Sequence, residues 1–396
     1  MAPKGQTAAS SSPLAKGLLA LSAMRGKDVE PVTIDTSLLS KSKAVIPTGS
    51  VNLDYAIGGA PNGAGIAPCP GYPSSCLIQI WGEESTGKTT LALHACANVH
   101  ASNGTVCYID WEHVLDLKYA ESLGVQVKDT SKFLLFQPST LEEGILISAE
   151  MIKAGVHLVV YDSVGAGTPE KVFSSFIDDA SETDQQTMLL AKIWSQKLPI
   201  LTTLAEGSGT TLIALSQVRE SVKMGFGKSF QPPPPKPQGG NAFKFYASLR
   251  MDLKKLENLK VKRYDALVCD KIEKVVGSKV RMTIRKNKWA PTAHNIVDFY
   301  VVFGRGVDNV RSFLDIAMAH DIIAKKGNTF VWEDAPEGPF KAVGQDKFIL
   351  KLQESVALQT ALWTQIRGKL VIAIDKDGVV SDDEDSDSFL SSALDD

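Results

Sequence analysis

The sequence predicts an α/β fold, a central and mostly parallel sheet flanked by helices, from three observations. Residues 76–81 (CLIQIW) form a short apolar run suited to a buried strand, and they lead straight into GEESTGKTT, which fits G-x-x-x-x-G-K-[ST] at every defined position. Further apolar runs alternate with helix-like segments down the chain, the order that βα units impose on a parallel sheet. Two of those runs close on carboxylates, Asp110 and Asp162, at the strand ends where open α/β sheets bind ligands.

The glycine-rich turn gives the fold its chemistry. Gly82 and Gly87 permit backbone angles closed to other residues, so the N–H groups of Gly82, Glu83, Glu84, Ser85, Thr86, Gly87, Lys88, Thr89 and Thr90 can converge on phosphate oxygens. The helix opening at Lys88 adds its positive dipole end. Lys88 is placed to reach the β- and γ-phosphates, and Thr89 to ligate Mg²⁺. The chain therefore reads as a binder of a nucleoside triphosphate.

Composition bounds the rest. At 396 residues, 44% hydrophobic and 22% charged, the chain is ordinary for a soluble protein of more than one unit. It holds no run of about eighteen apolar residues, so no membrane span is expected. The five cysteines show no pairing or metal-ligand spacing and read as buried thiols of a reducing cytoplasm, and the scattered histidines read as structural. Net charge is −3, but residues 375–396 carry nine acids against Lys376, which leaves +5 on residues 1–374. A mildly basic body with an acidic tail suits an anionic partner that competes with the tail; a purely solvating tail is the alternative.

In chain order, residues 1–44 read as a tail, a short amphipathic helix at 13–24 and a linker, the helix docking on its own body or on a neighbouring copy. Residues 45–303 form the core. Within it, VIPTGSVNLDYAI is a strand turning into a short helix, and the Gly/Pro-rich residues 58–75 are a surface loop. Strands follow at 105–110, 132–137, 157–163 and 211–218, with helices at 141–154 and 188–205. Glu112, just past the second core strand, is the candidate general base that activates water, and Asp162 is placed to order the water shell of Mg²⁺. Two long connections, 168–187 and 219–241, exceed ordinary loops. The second carries Arg219, Lys223 and Lys228 with Phe226 and four successive prolines; cations interleaved with aromatics suit single-stranded nucleic acid, whereas a proline-rich spacer is the alternative. Residues 243–253 read as a strand, then a charged hairpin ending in RKNK, and 299–303 as a last core strand. Residues 304–368 form a small α+β domain and 369–396 a disordered acidic tail.

Over about residues 44–345 the chain resembles the bacterial recombinase RecA family. The matching strings are PTGSVNLDYAIG, GEESTGKTT, IDWEHVLDLKYAESLGV, VVYDSV, SQVR, QGGNAFKFYASLRMDL, VGSKVRMTIRKNKWAPT and GRGVDNVRSFLDIA. The resemblance implies a RecA-type core in which Glu112 polarises the hydrolytic water, Asp116 and Tyr119 flank the adenine, and Gln217 senses the γ-phosphate. It implies that Lys286 and Lys288 reach the γ-phosphate of the adjacent subunit, that Phe245 joins that interface to DNA binding, and that Ser195, Gly239, Gly240 and Asn241 donate to DNA phosphates. Three departures stand out: Trp111 where the family has a small residue, Ser216 in place of the asparagine before the sensor glutamine, and Pro199 near a phosphate-binding arginine, with Lys192 and Lys197 as substitutes.

What the resemblance implies in function is a DNA-dependent ATPase using ATP and Mg²⁺. It would polymerise as a helical filament on single-stranded DNA, pair that strand with homologous duplex DNA and exchange strands in recombinational repair. Loading, mediator and single-strand-binding proteins would be its further partners, in the cytoplasm of a bacterial cell or of a phage's host. A hexameric helicase or translocating motor on the same fold, and an ATP-gated DNA-coating protein, are the alternatives.

Overall fold

The structure, a computed structural model, describes residues 44–58, 70–175, 183–219, 236–265, 267, 269–289 and 295–369. The expected N-terminal helix, most of the Gly/Pro-rich stretch, Lys223, Phe226, Lys228 and the acidic tail lie outside the described residues.

A large sheet runs through the body in the order β12-β11-β10-β9-β3-β7-β6-β4-β5. Its parallel part is β9 (Leu249–Asp265), β3 (Leu77–Gly82), β7 (Thr211–Arg219), β6 (Leu158–Asp162), β4 (Val106–Asp110) and β5 (Phe133–Phe136). The antiparallel side is β10 (Asp270–Asn287), β11 (Ile296–Val302) and β12 (Gly306–Val307). All six residues of β3 are buried because helices cover both faces, which is why that strand reads as a near-continuous apolar run, interrupted by Gln79, rather than alternating.

Alternation instead sorts its residues between two cores. Ile78 and Ile80 join Leu91, Leu93 and Cys96 of α2 (Lys88–Ala101) on one face. Leu77 joins Leu141 and Ile145 of α4 (Leu141–Lys153) and Trp194 and Leu198 of α6 (Thr183–Ser208) on the other. The α4 start is fixed locally, since Thr140 Oγ1 accepts from Glu143 N and Glu143 Oε2 accepts from Ser139 N.

Several elements differ from expectation. Residues 58–75 are not wholly a surface loop: β2 (Tyr72–Pro73) pairs with β1 (Val45–Ile46), and Tyr72 is fully buried behind α1 (Val51–Gly58). The 168–187 connection is partly helical, with α5 (Glu170–Ser175) started by Pro169, whose carbonyl accepts from Val172 N and Phe173 N, and with α6 opening at Thr183. Between α2 and β5 stands α3 (Leu117–Ser122), and β8 (Lys236–Pro237) pairs with the end of β7.

The FKFY segment read as strand is instead a single helical turn, α7 (Ala242–Tyr246). Gly239 and Gly240, at φ +96° and +85°, turn the chain so that Phe243 is buried and Phe245 exposed. Among the cysteines described, Cys76, Cys96 and Cys107 are buried, but Cys269 is exposed at the β9–β10 turn.

After β12 a separate hydrophobic cluster gathers α8 (Asn309–Ala319), the antiparallel strands β13 (Ala324–Lys326), β14 (Thr329–Trp332) and β15 (Phe340–Val343), then α9 (Gln345–Gln353) and α10 (Val356–Lys369). No helix of the described residues is long and apolar enough to cross a membrane.

Candidate nucleotide and DNA site

The phosphate loop is a close-fitting backbone cradle. A Cβ on Gly82 would lie 2.3 Å from Leu253 O, and Gly87 takes φ +86° against Val301, so neither position accepts a side chain without moving backbone or strand. Ser85 also takes a positive φ, 58°, which turns successive N–H groups inward. Lys88 is buried, its amine donating to Gly82 O at 3.0 Å and Glu83 O at 2.6 Å. Burial holds its ammonium below the usual lysine range, against the pull of Asp162, Glu112, Glu84 and Glu83.

Thr89 Oγ1 donates to Asp162 Oδ2 at 3.0 Å, and the same oxygen accepts from Tyr108 OH at 2.7 Å. Burial is the main cause that pushes the Asp162 carboxyl up to about 6. A hydroxyl and a desolvated carboxylate side by side at the start of α2 form an oxygen donor set that fits Mg²⁺ beside a triphosphate.

A cleft of about 530 Å³ opens next to the loop, lined by Gly87, Thr90, Asp116, Tyr119, Val301 and Phe303 among others, a size that suits a nucleoside. Tyr119 OH and Thr90 Oγ1 are 3.0 Å apart. Asp116 caps α3 by accepting from Lys118 N and Tyr119 N, which fixes the tyrosine along the cleft wall.

Glu112 and Gln217 meet: Gln217 Nε2 donates to Glu112 Oε1 at 2.9 Å. Gln217 stands level with Gly82, two residues before β7 ends, and its own carbonyl accepts from Gln238 N at 2.9 Å. Val218 and Arg219 pair with Pro237 and Lys236, so both ends of the 219–241 connection are zipped together one residue beyond Gln217. Gly239 and Gly240 follow, packed so closely on Val164 and Ala191 that added Cβ atoms would come within 2.9 Å and 2.8 Å. Ser195 and Asn241 are exposed, Ser195 on α6 and Asn241 at the start of α7.

Lys286 and Lys288 do not join their own phosphate loop. Lys286 pairs with Arg250, which pairs with Gln79, and Lys288 N donates to Ser248 O, at the end of the sheet where β3 begins. Gln79 is three positions before Gly82, and two strand spacings separate Lys286 from β3, so about 10 Å along the strands and about 10 Å across them lie between. The Lys286 amine is instead held by Lys244 O at 2.9 Å and Phe245 O at 3.0 Å.

A family model described as the RecA N-terminal domain matches residues 32–308. The chain is 35% identical to Protein RecA of Rhodococcus opacus over 341 residues, covering 86% of this chain and 87% of that protein. It is also 35% identical to Protein RecA of Mycobacterium avium over 353 residues, 89% of each. Protein RecA 1 of Myxococcus xanthus is 35% identical over 338 residues, 85% of this chain and 88% of that protein.

The chain belongs to the RecA family. Its departures from the RecA pattern have local compensations. Trp111 is buried, donates Nε1–H to Thr140 O at 3.1 Å and stacks on Tyr161 with centroids 6.1 Å apart. It fits because Gly144 lacks a side chain there, where a Cβ would lie 2.3 Å from the Trp111 ring. Ser216 Oγ accepts from Gln79 Nε2 at 3.1 Å, while Gln79 Oε1 accepts from Arg250 Nε at 2.8 Å and that guanidinium stacks 4.5 Å from the Trp81 ring. Pro199 sits inside α6, with Lys192 and Lys197 exposed on the same helix.

The sequence places Asp110 at a strand end but assigns it no role, because DWEH presents two acids with no mark of which faces inward. It is 1% exposed, and its Oδ1 accepts from Glu112 N at 3.0 Å and His113 N at 2.8 Å. Its Oδ2 accepts from Leu115 N at 3.2 Å and Gln137 Nε2 at 3.1 Å, so one buried carboxylate holds the whole turn that carries Glu112. Asp110→Ala would orphan these donors. It is expected to cost about 2–4 kcal/mol in urea unfolding and to lower ATP turnover at least about tenfold through misplacement of Glu112. ATP affinity, measured by titration, should stay within about threefold, because the phosphate loop is untouched.

Proposed function

We propose that the chain is an ATP-dependent recombinase, forming filaments on single-stranded DNA and carrying out homologous pairing and strand exchange in DNA repair. The contact between Gln217 and Glu112 carries this reading, because it puts a hydrolysis group and the end of a DNA-binding connection on one residue. Membership of the RecA family, with relatives of that name matched over most of their length, favours it over a ring-forming motor.

Lys88 and the loop amides bind the triphosphate, while Thr89 and Asp162 would hold Mg²⁺, whose charge would offset that of the phosphates. Asp116 and Tyr119 bound the base. Glu112 orients a water and takes its proton as the oxygen attacks the γ-phosphorus, and the bond to the β–γ bridging oxygen breaks. Gln217 donates to the γ-phosphate until that group leaves. Lys286 and Lys288 of a neighbouring copy close the site from outside, since in their own copy they lie too far down the sheet. Ser195, Gly239, Gly240 and Asn241, together with Arg219, Lys223, Phe226 and Lys228, contact DNA, so nucleotide state and DNA grip are linked through β7 and β8.

Glu112→Gln should lower single-strand-stimulated turnover by about 10²-fold or more while leaving ATP-dependent DNA binding in place; unchanged turnover would remove Glu112 as the base. Replacing Lys286 and Lys288 together by Ala should lower turnover at least about tenfold and raise the protein concentration needed for filament assembly, read by light scattering. Lost turnover with unchanged assembly would contradict a site shared between copies.

A further inference from the structure

A buried hydroxyl meets the Asp162 carboxylate from the core side. Tyr108 lies in the middle of β4 (VCYID), and alternation along that strand turns it, with Val106, onto the sheet face that packs against α2. Its backbone is level with Val160 of β6, and Asp110 is level with Asp162, so Tyr108 and Asp162 stand on neighbouring strands two residues apart along the sheet. Residues at that offset share a face. Two residues of strand span about 6.6 Å, a length that a phenol laid along the sheet can bridge and a leucine or valine cannot.

The ring itself sits in an apolar cluster. Tyr108 is fully buried with Leu91, Cys96, Leu158 and Val160, and its centroid is 6.3 Å from that of Phe133. Phenylalanine would fill the same space, so the packing does not call for a hydroxyl, and a phenol taken out of water there needs a hydrogen bond to offset its desolvation. That bond goes to Asp162 Oδ2 at 2.7 Å, the oxygen to which Thr89 Oγ1 also donates at 3.0 Å. One carboxylate oxygen therefore accepts from two hydroxyls, one carried by β4 and one by α2. A single donor leaves a carboxylate free to turn about its Cβ–Cγ bond, whereas two donors on separate rigid elements fix its plane. Thr89 is itself a candidate metal ligand, so the phenol is the anchor that stays in place when the threonine oxygen turns to a cation.

We propose that Tyr108 is a positioning residue for the metal site: its hydroxyl fixes the Asp162 carboxylate in the orientation that would hold Mg²⁺ beside Thr89. Buried in the core behind Asp162, it acts through that carboxylate and not on the nucleotide. Hydrogen bonds from such outer groups orient a ligand and strengthen its hold on a cation. The inference rests on the nucleotide and Mg²⁺ reading above.

Tyr108→Phe removes one oxygen and leaves the ring's packing in place. Mn²⁺ is the probe, because its free-ion EPR signal is lost on binding, and it is titrated into the full chain premixed with a slowly hydrolysed ATP analogue. The wild-type chain should tighten Mn²⁺ binding beyond that of the analogue alone. Tyr108→Phe should weaken that binding about tenfold, and the Mg²⁺ concentration that half-saturates ATP turnover should rise by a similar factor. Affinity for the analogue in EDTA should not change. In an Asp162→Asn background Tyr108→Phe should have no further effect on Mn²⁺, because the two side chains act as one unit. A lowered urea midpoint with wild-type Mn²⁺ affinity overturns the proposal and makes the hydroxyl purely structural, and so does an equal loss of affinity in both backgrounds. A wild-type chain that fails to tighten Mn²⁺ binding beyond the analogue alone overturns instead the metal reading, so the two failures are distinguishable.

Discussion

The hydrogen bond between the Gln217 amide and the Glu112 carboxylate is the constraint around which the rest is arranged. A glutamine amide has two N–H donors and one oxygen, so its partners are few and mutually limiting. Here the side chain donates to Glu112 while the backbone carbonyl of the same residue holds Gln238, which leads into Gly239 and Gly240. A phosphate oxygen offered to this amide is a charged acceptor, and a hydrogen bond to a charged group contributes about 1.5–3 kcal/mol. Through RT that is roughly ten- to a hundredfold in an equilibrium, enough for a nucleotide to bias the connection that β7 and β8 enclose.

In the proposed function that bias would pass to the DNA side through intervening groups packed without slack. Trp194 Nε1 donates to Val164 O at 3.0 Å, and its ring meets Trp111, Tyr161 and Phe243 edge-on with centroids 5.2 to 6.1 Å apart. Gln238 lies so close over Gly165 that an added Cβ would sit 1.9 Å from its side-chain oxygen. A shift of β8 must therefore displace the turn after β6, and with it the neighbourhood of Asp162. On the other side, Asp110 anchors the Glu112 turn by accepting from Glu112 N, His113 N and Leu115 N.

Much of this arrangement was legible in the residues, and the reasons differ by position. The phosphate loop announces itself because glycine geometry and a fully buried strand leave few sequences that satisfy both. Glu112, Asp162 and Gln217 were readable as polar residues at strand ends, and the sheet order brings those ends together. Asp110 was readable as a strand-end carboxylate, but its anchoring role was not, because that role depends on Gln137 and on the turn it holds, neither of which leaves a local mark. The FKFY turn misled because the alternation of Phe243 and Phe245 fits a strand's period, while the two glycines before it set a helical turn. The depth of Tyr72 was hidden by its Gly/Pro-rich surroundings, since pairing of β2 with β1 spans a long gap in sequence.

The proposed function makes nucleotide state and DNA grip meet at Gln217, so the most direct measurement is the affinity of the purified full chain for a fluorescent single-stranded oligonucleotide, taken with a slowly hydrolysed ATP analogue, with ADP and without nucleotide. Tight binding with the analogue and binding weaker by about ten- to a hundredfold in the other two conditions is the expected result. Equal affinity in all three would contradict the coupling through Gln217.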